Sequence, residues 1–264
     1  MARVRPGAST AARRLAATPG VATAATTAAA ALLLAIATAC TTAGPSESRS
    51  TPSSRPADLG GTSNRIGALF LDANGSRGCT ASVVDSPHHN LLVTAAHCVY
   101  TAANGRLDSL VFAPGFRNGE APYGSWKATT TTVDPRWAAG EDPEYDIAFV
   151  TVDALDGRQI QDVLGGNPIA TDAGFGLPVS VTGYPNESQT PITCSNRTSR
   201  YSATQERFDC HGYTDGTSGS PWLTPEGKVV GVIGGYQQGG DTDQTSYSIT
   251  FDHRVTDLYR QATA

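Results

Sequence analysis

The sequence predicts an all-β domain that fills roughly the last two hundred of its 264 residues. From Arg65 onward, short apolar runs alternate with clusters of Gly, Pro, Asn and Asp, a pattern typical of strands separated by tight turns. No long helical period interrupts these runs. About a dozen short strands over this length indicate one all-β unit that contains two barrels.

The strand candidates follow one another along the whole domain. They span residues 66–71, 80–84, 91–94, 109–113, 127–133, 147–152, 178–184, 199–203, 221–223, 229–234 and 245–250. One helix is expected at the end of the chain, because Asp252 can cap a helix that runs through Val255, Leu258 and Tyr259.

The first forty residues are typical of an export signal. Residues 1–20 contain four arginines and no acidic residue, and an apolar segment centred on residues 30–36 follows. This segment is shorter than the about twenty strongly apolar residues of a membrane helix. It ends in Ala-Thr-Ala directly before Cys40, which fits either an ordinary cleavage site or a bacterial lipoprotein box. We favour lipidation of Cys40, because this cysteine is otherwise an unpaired thiol in an exported protein.

Residues 41–62 are rich in Ser, Thr, Pro and Gly and contain almost no large apolar side chain. Such a segment buries too little surface to fold by itself. We therefore expect an export signal over 1–40, a flexible tether over 41–62 and a folded domain over 63–264.

The folded part of the chain is acidic. Excluding residues 1–61, it has 13 basic and 22 acidic side chains, a net charge of −9 with histidines neutral. This charge disfavours nucleic acid, so we expect no nucleic-acid partner. Of the 19 basic residues 17 are arginine, which together with the alanine-rich leader indicates a high-GC bacterial genome.

Three motifs supply the parts of a nucleophilic hydrolase site. His97 lies in Thr-Ala-Ala-His-Cys, Asp146 in Tyr-Asp-Ile-Ala and Ser218 in Asp-Gly-Thr-Ser-Gly-Ser-Pro. A serine hydroxyl needs an imidazole to take its proton and a carboxylate to orient that imidazole. Gly216 permits a tight turn that directs the N–H groups of Gly216 and Ser218 at one point, as in an oxyanion hole.

These motifs, in the order His, Asp, Ser, resemble those of the trypsin/chymotrypsin-like serine proteases. Subtilisin-like enzymes have the order Asp, His, Ser, and α/β-hydrolases have Ser, Asp, His. The resemblance implies a double six-stranded β-barrel with the active site between the barrels, and a short C-terminal helix. We expect the barrels at about 63–156 and 166–250 and the helix at about 252–262.

The resemblance also assigns roles to the three residues. His97 is the general base and later the acid, Asp146 fixes its tautomer and Ser218 is the nucleophile, with the backbone of Gly216 and Ser218 as the oxyanion hole.

Four of the five cysteines fall inside the domain. The resemblance pairs Cys79 with Cys98, next to the catalytic histidine, and leaves Cys194 for Cys210. A zinc site on these cysteines is disfavoured, since an exported chain normally oxidises such pairs. We expect no metal and no cofactor.

The sequence departs from the animal enzymes at Thr217, where those enzymes have an aspartate that pairs with a new N-terminus. We therefore expect no activation switch at Arg65-Ile66. The departure resembles bacterial branches of the family with a Gly-Thr-Ser-Gly-Ser-Pro motif, of an actinobacterial type, and the related glutamyl endopeptidases.

The resemblance places the floor of a specificity pocket at Gly212 and its wall around Ile233, Gly234, Gly235 and Tyr236. No aspartate occupies the floor, so a preference for Arg or Lys is not supported. His211 either contacts an acidic substrate side chain or is a surface residue beside a disulfide. The two wall glycines indicate an open cleft that pairs an extended peptide backbone.

The expected function is that of an exported serine endopeptidase that cleaves peptide or protein substrates through an acyl-enzyme. We expect a monomer that is secreted or held on the outer face of a bacterial membrane through Cys40. Two alternatives remain open: a catalytically silent protein that binds peptides in the same cleft, and an esterase-like hydrolase with the same triad.

Overall fold

The structure is a computed structural model that describes residues 50–58, 60–71 and 75–264. The predicted export signal, Cys40 and residues 41–49 lie outside this range. Among the described helices, none combines the length and the apolar character that a bilayer crossing requires.

Strands dominate the described residues. They are β1 (Arg55–Pro56), β2 (Ile66–Phe70), β3 (Arg77–Val84), β4 (Leu91–Thr94), β5 (Tyr100–Thr101), β6 (Gly105–Arg106), β7 (Val111–Pro114), β8 (Trp126–Val133), β9 (Ala148–Val152), β10 (Pro178–Gly183), β11 (Ile192–Arg197), β12 (Ser199–Arg200), β13 (Gln205–Asp209), β14 (Pro221–Leu223), β15 (Val229–Val232) and β16 (Thr245–Ile249). The α-helices are α1 (Pro135–Gly140), α2 (Ile160–Leu164) and α3 (His253–Ala262), and short 3-10 turns span Gly61–Arg65, Ala96–Cys98, Pro143–Tyr145 and Tyr236–Gly239.

The first half of the fold, residues 66–152, is a closed barrel with the strand order β2-β3-β4-β9-β8-β7. Large side chains such as Phe112, Trp126 and Val150 fill its interior and are almost fully buried. Closure leaves no free strand edge in this barrel. The closed barrel therefore fixes the ends of the loops that leave it.

The second half, residues 178–249, divides its strands between two sheets. One has the order β1-β11-β10-β14-β15, and the other has the order β12-β13-β16. Val181, Phe208 and Trp222 belong to the apolar cluster of this half. The helix α3 follows, and the Asp252 carboxylate caps it by accepting a 2.8 Å hydrogen bond from the Arg254 N–H.

The predicted all-β fold with a C-terminal helix is confirmed, and every predicted strand overlaps an observed one. The sequence did not predict β11 and β13. Both carry polar or charged residues at most positions, and Gln205 and Glu206 are buried all the same.

Residues 52–57, which lie within the predicted tether, pair with the folded domain. Strand β1 pairs with β11, and the segment continues past His211, which donates to the Pro52 carbonyl and accepts from the Ser54 N–H, each at 2.9 Å. The Arg117 side chain also donates to the Ala57 carbonyl, at 2.6 Å. Backbone pairing orders this segment although it has little apolar surface to bury.

Candidate active site

His97 and Asp146 meet at one end of the first barrel. His97 lies on the 3-10 turn that follows β4, and Asp146 ends the turn that precedes β9. Strands β4 and β9 are neighbours, with Thr94 opposite Ala148. This pairing brings the two turns together, so that His97 Nδ1 lies 2.8 Å from Asp146 Oδ2.

The Asp146 carboxylate is fully buried and held by three N–H groups. Besides the imidazole, the His97 backbone N–H donates to Oδ1 at 2.9 Å, and the Gly235 N–H donates to Oδ2 at 2.8 Å. A carboxylate held in this way keeps the His97 ring in one orientation. With its proton on Nδ1, the imidazole presents Nε2 as an acceptor, which is the form a general base needs.

Ser218 lines the same cleft as His97, a cavity of about 810 Å³. Its backbone is fixed from both sides, because its carbonyl accepts from the Thr80 N–H at 2.8 Å and the next N–H, of Gly219, reaches Ile233 at 2.7 Å. Within the described residues Ser218 Oγ has no hydrogen-bond partner. Catalytic hydrogen bonds are often long before substrate binds.

Gly216 has the conformation that an oxyanion hole requires. Its φ is +97°, and a Cβ atom there would lie 2.5 Å from the Tyr184 carbonyl, so only glycine fits. The Asp215 carbonyl accepts from the Asn186 N–H at 2.8 Å. Because a trans peptide directs its N–H opposite to its carbonyl, the Gly216 N–H faces away from Asn186. Among the described residues neither it nor the Ser218 N–H has an acceptor.

The predicted specificity residues divide into two groups. Ile233 of the predicted wall lines the cleft, whereas Gly212, Gly234, Gly235, Tyr236 and His211 do not. Their contact with a substrate stays a prediction.

The Gly235 φ of +80° ends the predicted wall strand, and the chain turns into the 3-10 segment Tyr236–Gly239. The Gly234 N–H donates to Tyr247, and the Tyr236 N–H donates to Gln205. These two N–H groups are therefore already bonded within the chain, and the pairing of this segment with an extended peptide stays a prediction.

Residues that the sequence analysis missed line the cleft instead. Four of them are acidic, namely Glu187, Asp215, Asp241 and Asp243. Within the part of the chain that the structure describes, no lysine or arginine lines the cleft. The Asp243 carbonyl also fixes the predicted floor, since it accepts from the Gly212 N–H at 2.8 Å. The acidic run near residue 241 was visible in the sequence, but its place beside His97 depends on the fold.

Both predicted disulfides are confirmed, Cys79 with Cys98 and Cys194 with Cys210. Cys79, His97 and Cys98 form the one group of three potential metal ligands that lie close together among the described residues. Because both sulfurs are bonded to each other, they are not thiolates, and this group does not fit a metal ion.

A family profile described as "Trypsin-like peptidase domain" matches residues 79–232, which include His97, Asp146 and Ser218. The chain belongs to the trypsin-like peptidase family. The matched segment covers more than half of the sequence and contains the three motifs that predicted this family.

Solved structures resemble this trypsin-like peptidase closely. The protease Anisep from Arthrobacter nicotinovorans is 26% identical with a TM-score of 0.69, over 76% of this chain and 95% of that one. The thermostable serine protease AL20 from an extremophilic microorganism is 26% identical with a TM-score of 0.68, over 76% and 97%. A Glu endopeptidase shares the fold, at 20% identity and a TM-score of 0.67 over 80% and 97%.

A curated relative is named an extracellular metalloprotease of Bacillus subtilis (strain 168). It is 26% identical over 192 residues, which are 70% of this chain and 54% of the relative. The chain thus spans about half the length of that relative. The donor set near His97 in this trypsin-like peptidase does not fit the metal in that name, because its two sulfurs form a disulfide.

Proposed function

We propose that this protein is a serine endopeptidase that uses Ser218, His97 and Asp146. The observation that carries the proposal is the buried Asp146 carboxylate, 2.8 Å from His97 Nδ1, in a cleft that Ser218 shares. A buried carboxylate that orients an imidazole toward a serine is the arrangement that activates a hydroxyl for acyl transfer.

In the proposed reaction, Ser218 Oγ attacks the carbonyl carbon of the substrate and His97 Nε2 takes the hydroxyl proton. The N–H groups of Gly216 and Ser218 donate hydrogen bonds to the oxyanion that forms. His97 then gives the proton to the leaving amine, and the C–N bond breaks. Water then enters, loses a proton to His97 and attacks the acyl carbon. The bond from this carbon to Ser218 Oγ breaks, His97 returns the proton to Oγ, and the acid is released.

Active-site labelling tests this proposal. A fluorophosphonate probe should add once to the full chain, and Ser218→Ala and His97→Ala should abolish the adduct seen by intact mass. Ser195→Ala is the matched control, because Ser195 is an exposed serine on β11 and does not line the cleft. No adduct on a folded wild type would overturn the proposal in favour of a catalytically silent peptide-binding protein.

Paired substrates separate the peptidase from an esterase-like hydrolase. A peptidase should hydrolyse both a peptide amide and the matching ester, and both activities should disappear in Ser218→Ala. Hydrolysis of the ester alone would favour the esterase.

We also propose that the protein is exported. Two disulfides in the peptidase domain suit an oxidising compartment, and the relative from Bacillus subtilis is named extracellular. Lipidation of Cys40 would hold the enzyme at the outer face of the membrane. Mass spectrometry of the cell-associated form tests this, because a diacylglycerol adduct on Cys40 is expected, whereas a mature form in which Cys40 is unmodified or absent would exclude the anchor.

A further inference from the structure

Glu206 is a buried acid that the proposed reaction does not use. Its side chain is 3% exposed, and its Oε2 has no hydrogen-bond partner among the described residues. Thr198 donates a hydrogen bond to the same carboxyl group. A buried carboxylate oxygen without a partner is costly, so a functional reason for it is worth seeking.

Glu206 lines a second cavity of about 290 Å³, separate from the cleft. Its walls combine polar and apolar surface, and the larger apolar side chains among them are Phe175, Leu177, Val230 and Phe251. Its charged lining is entirely acidic, since Asp172 and Asp252 join Glu206 and no lysine, arginine or histidine takes part.

The basic residue that is paired with Glu206 across the sheet has its own interaction partners. Arg200 lies opposite Glu206 across the β12 and β13 pair. Its Nε donates to the Ser202 carbonyl at 2.8 Å, and its guanidinium lies 5.2 Å from the centre of the Phe175 ring. Arg200 therefore does not compensate the charge of Glu206. Its contact with Phe175 also shows that the face of this ring accepts a cation.

The geometry points to a binding site for an organic cation, an alkylammonium or guanidinium group, with Glu206 at its base and Phe175 at its mouth. Such a group brings the donor and the charge that Oε2 lacks, and its alkyl stem suits the apolar side chains of the walls. This cation is either a free amine or the side chain of a lysine or arginine in a polypeptide.

A divalent metal fits this cavity less well. Calcium needs six to eight oxygen ligands that converge on one point. Among the described residues, Glu206, Asp172 and Asp252 do not bring three carboxylates within 4.8 Å of one another.

Burial raises the pKa of Glu206 to about 7, although the Thr198 hydrogen bond opposes the shift. The carboxyl group is therefore largely neutral in mildly acidic solution. The other charged groups near it are Asp172 and Asp252 on the cavity wall, and Arg200 on the adjacent strand. Binding of a cation requires the ionised form, so affinity should fall about tenfold for each pH unit below 7.

Titration of the full chain carrying Ser218→Ala tests the site without self-cleavage. At pH 8, butylammonium and butylguanidinium should shift the backbone amide NMR signals of Phe175, Val230 and Thr250 to saturation, whereas 1-pentanol should not. Glu206→Gln should weaken the binding by about tenfold or more, since it removes the charge and keeps the shape. Glu226→Gln, at an acid outside this cavity, is the matched control and should bind as the parent does.

Two further arms complete the experiment. A capped peptide with one central lysine should bind more tightly than butylammonium if the natural ligand is a polypeptide, and less tightly if it is a free amine; the norleucine peptide should not bind. Should Glu206→Gln unfold, Phe175→Ala replaces it, because this ring is 38% exposed and its loss should weaken binding several-fold.

Three outcomes would overturn the inference. They are equal cation affinity in Glu206→Gln, saturable binding of 1-pentanol at the same residues, and a response to Ca²⁺ but not to the ammonium. The test uses Ser218→Ala and does not measure hydrolysis. Its outcome is therefore independent of whether the proposed peptidase activity is correct.

Discussion

The two halves of the fold hold the active site in different ways. The first half is a closed barrel that fixes His97 and Asp146 through neighbouring strands and a fully buried carboxylate. The second half divides its strands between two sheets and presents Ser218 and the cleft on turns with positive φ, such as Gly216, Gly219 and Gly235. Under the proposed mechanism, the barrel provides the proton-transfer pair, and the turns provide the nucleophile and line the cleft.

The largest expected effect comes from the first half. Asp146→Asn keeps the shape but removes the charge that holds the His97 proton on Nδ1. We expect kcat to fall by about 10³ to 10⁴-fold with little change in KM. Asp142→Asn, which alters only the cap of the preceding turn, is the control and should cost no more than a few-fold. An Asp146→Asn enzyme with wild-type kcat would remove Asp146 from the triad.

Removal of each disulfide compares the halves directly. The two loops are similar, with separations of 19 and 16 residues. Replacing either pair by serine should therefore lower the free energy of unfolding by about 3 kcal/mol. Urea denaturation measures this loss, and kcat should fall more for Cys79 with Cys98, because Cys98 adjoins His97. An equal fall in kcat for both pairs would contradict the assignment of His97 and its support to the first half.

Truncation of β1 tests the edge of the second half. A chain that begins at residue 60 loses the pairing of β1 with β11 and the two hydrogen bonds at His211. We expect it to unfold with about 1–3 kcal/mol less free energy than a chain that begins at Ser50. Unchanged thermal stability of the shorter chain would show that the segment is dispensable.

The last prediction concerns pH. Burial raises the pKa of Glu206 from its ordinary value of 4.5 to about 7. The folded state therefore binds the proton more tightly, and this group destabilises the fold as pH rises from about 4.5 to 7, by up to about 1.4 kcal/mol per unit. Glu206→Gln should flatten the dependence of unfolding free energy on pH in this window, whereas Glu226→Gln should retain it.

The sequence predicted what depends on local motifs. The motifs around His97, Asp146 and Ser218 are short, and their residue types alone indicate a nucleophilic hydrolase site. The structure places His97 next to Asp146, as expected. The course of the chain after Ile233 could not be read from the sequence, because it depends on remote partners: Gly235 donates to Asp146, and Tyr236 donates to Gln205. Strand β13 was missed because its buried Gln205 and Glu206 are residues that usually face solvent.

The hydrogen bonds at the active site also join the two halves of the fold. Asp146 accepts an N–H from His97 in the first half and one from Gly235 in the second, and the Thr80 N–H of β3 donates to the carbonyl of Ser218. Under the proposed mechanism, a chain that has folded only its barrel would hold the base and the orienting acid but would lack the nucleophile. Peptide cleavage would then require that both halves are folded and in contact.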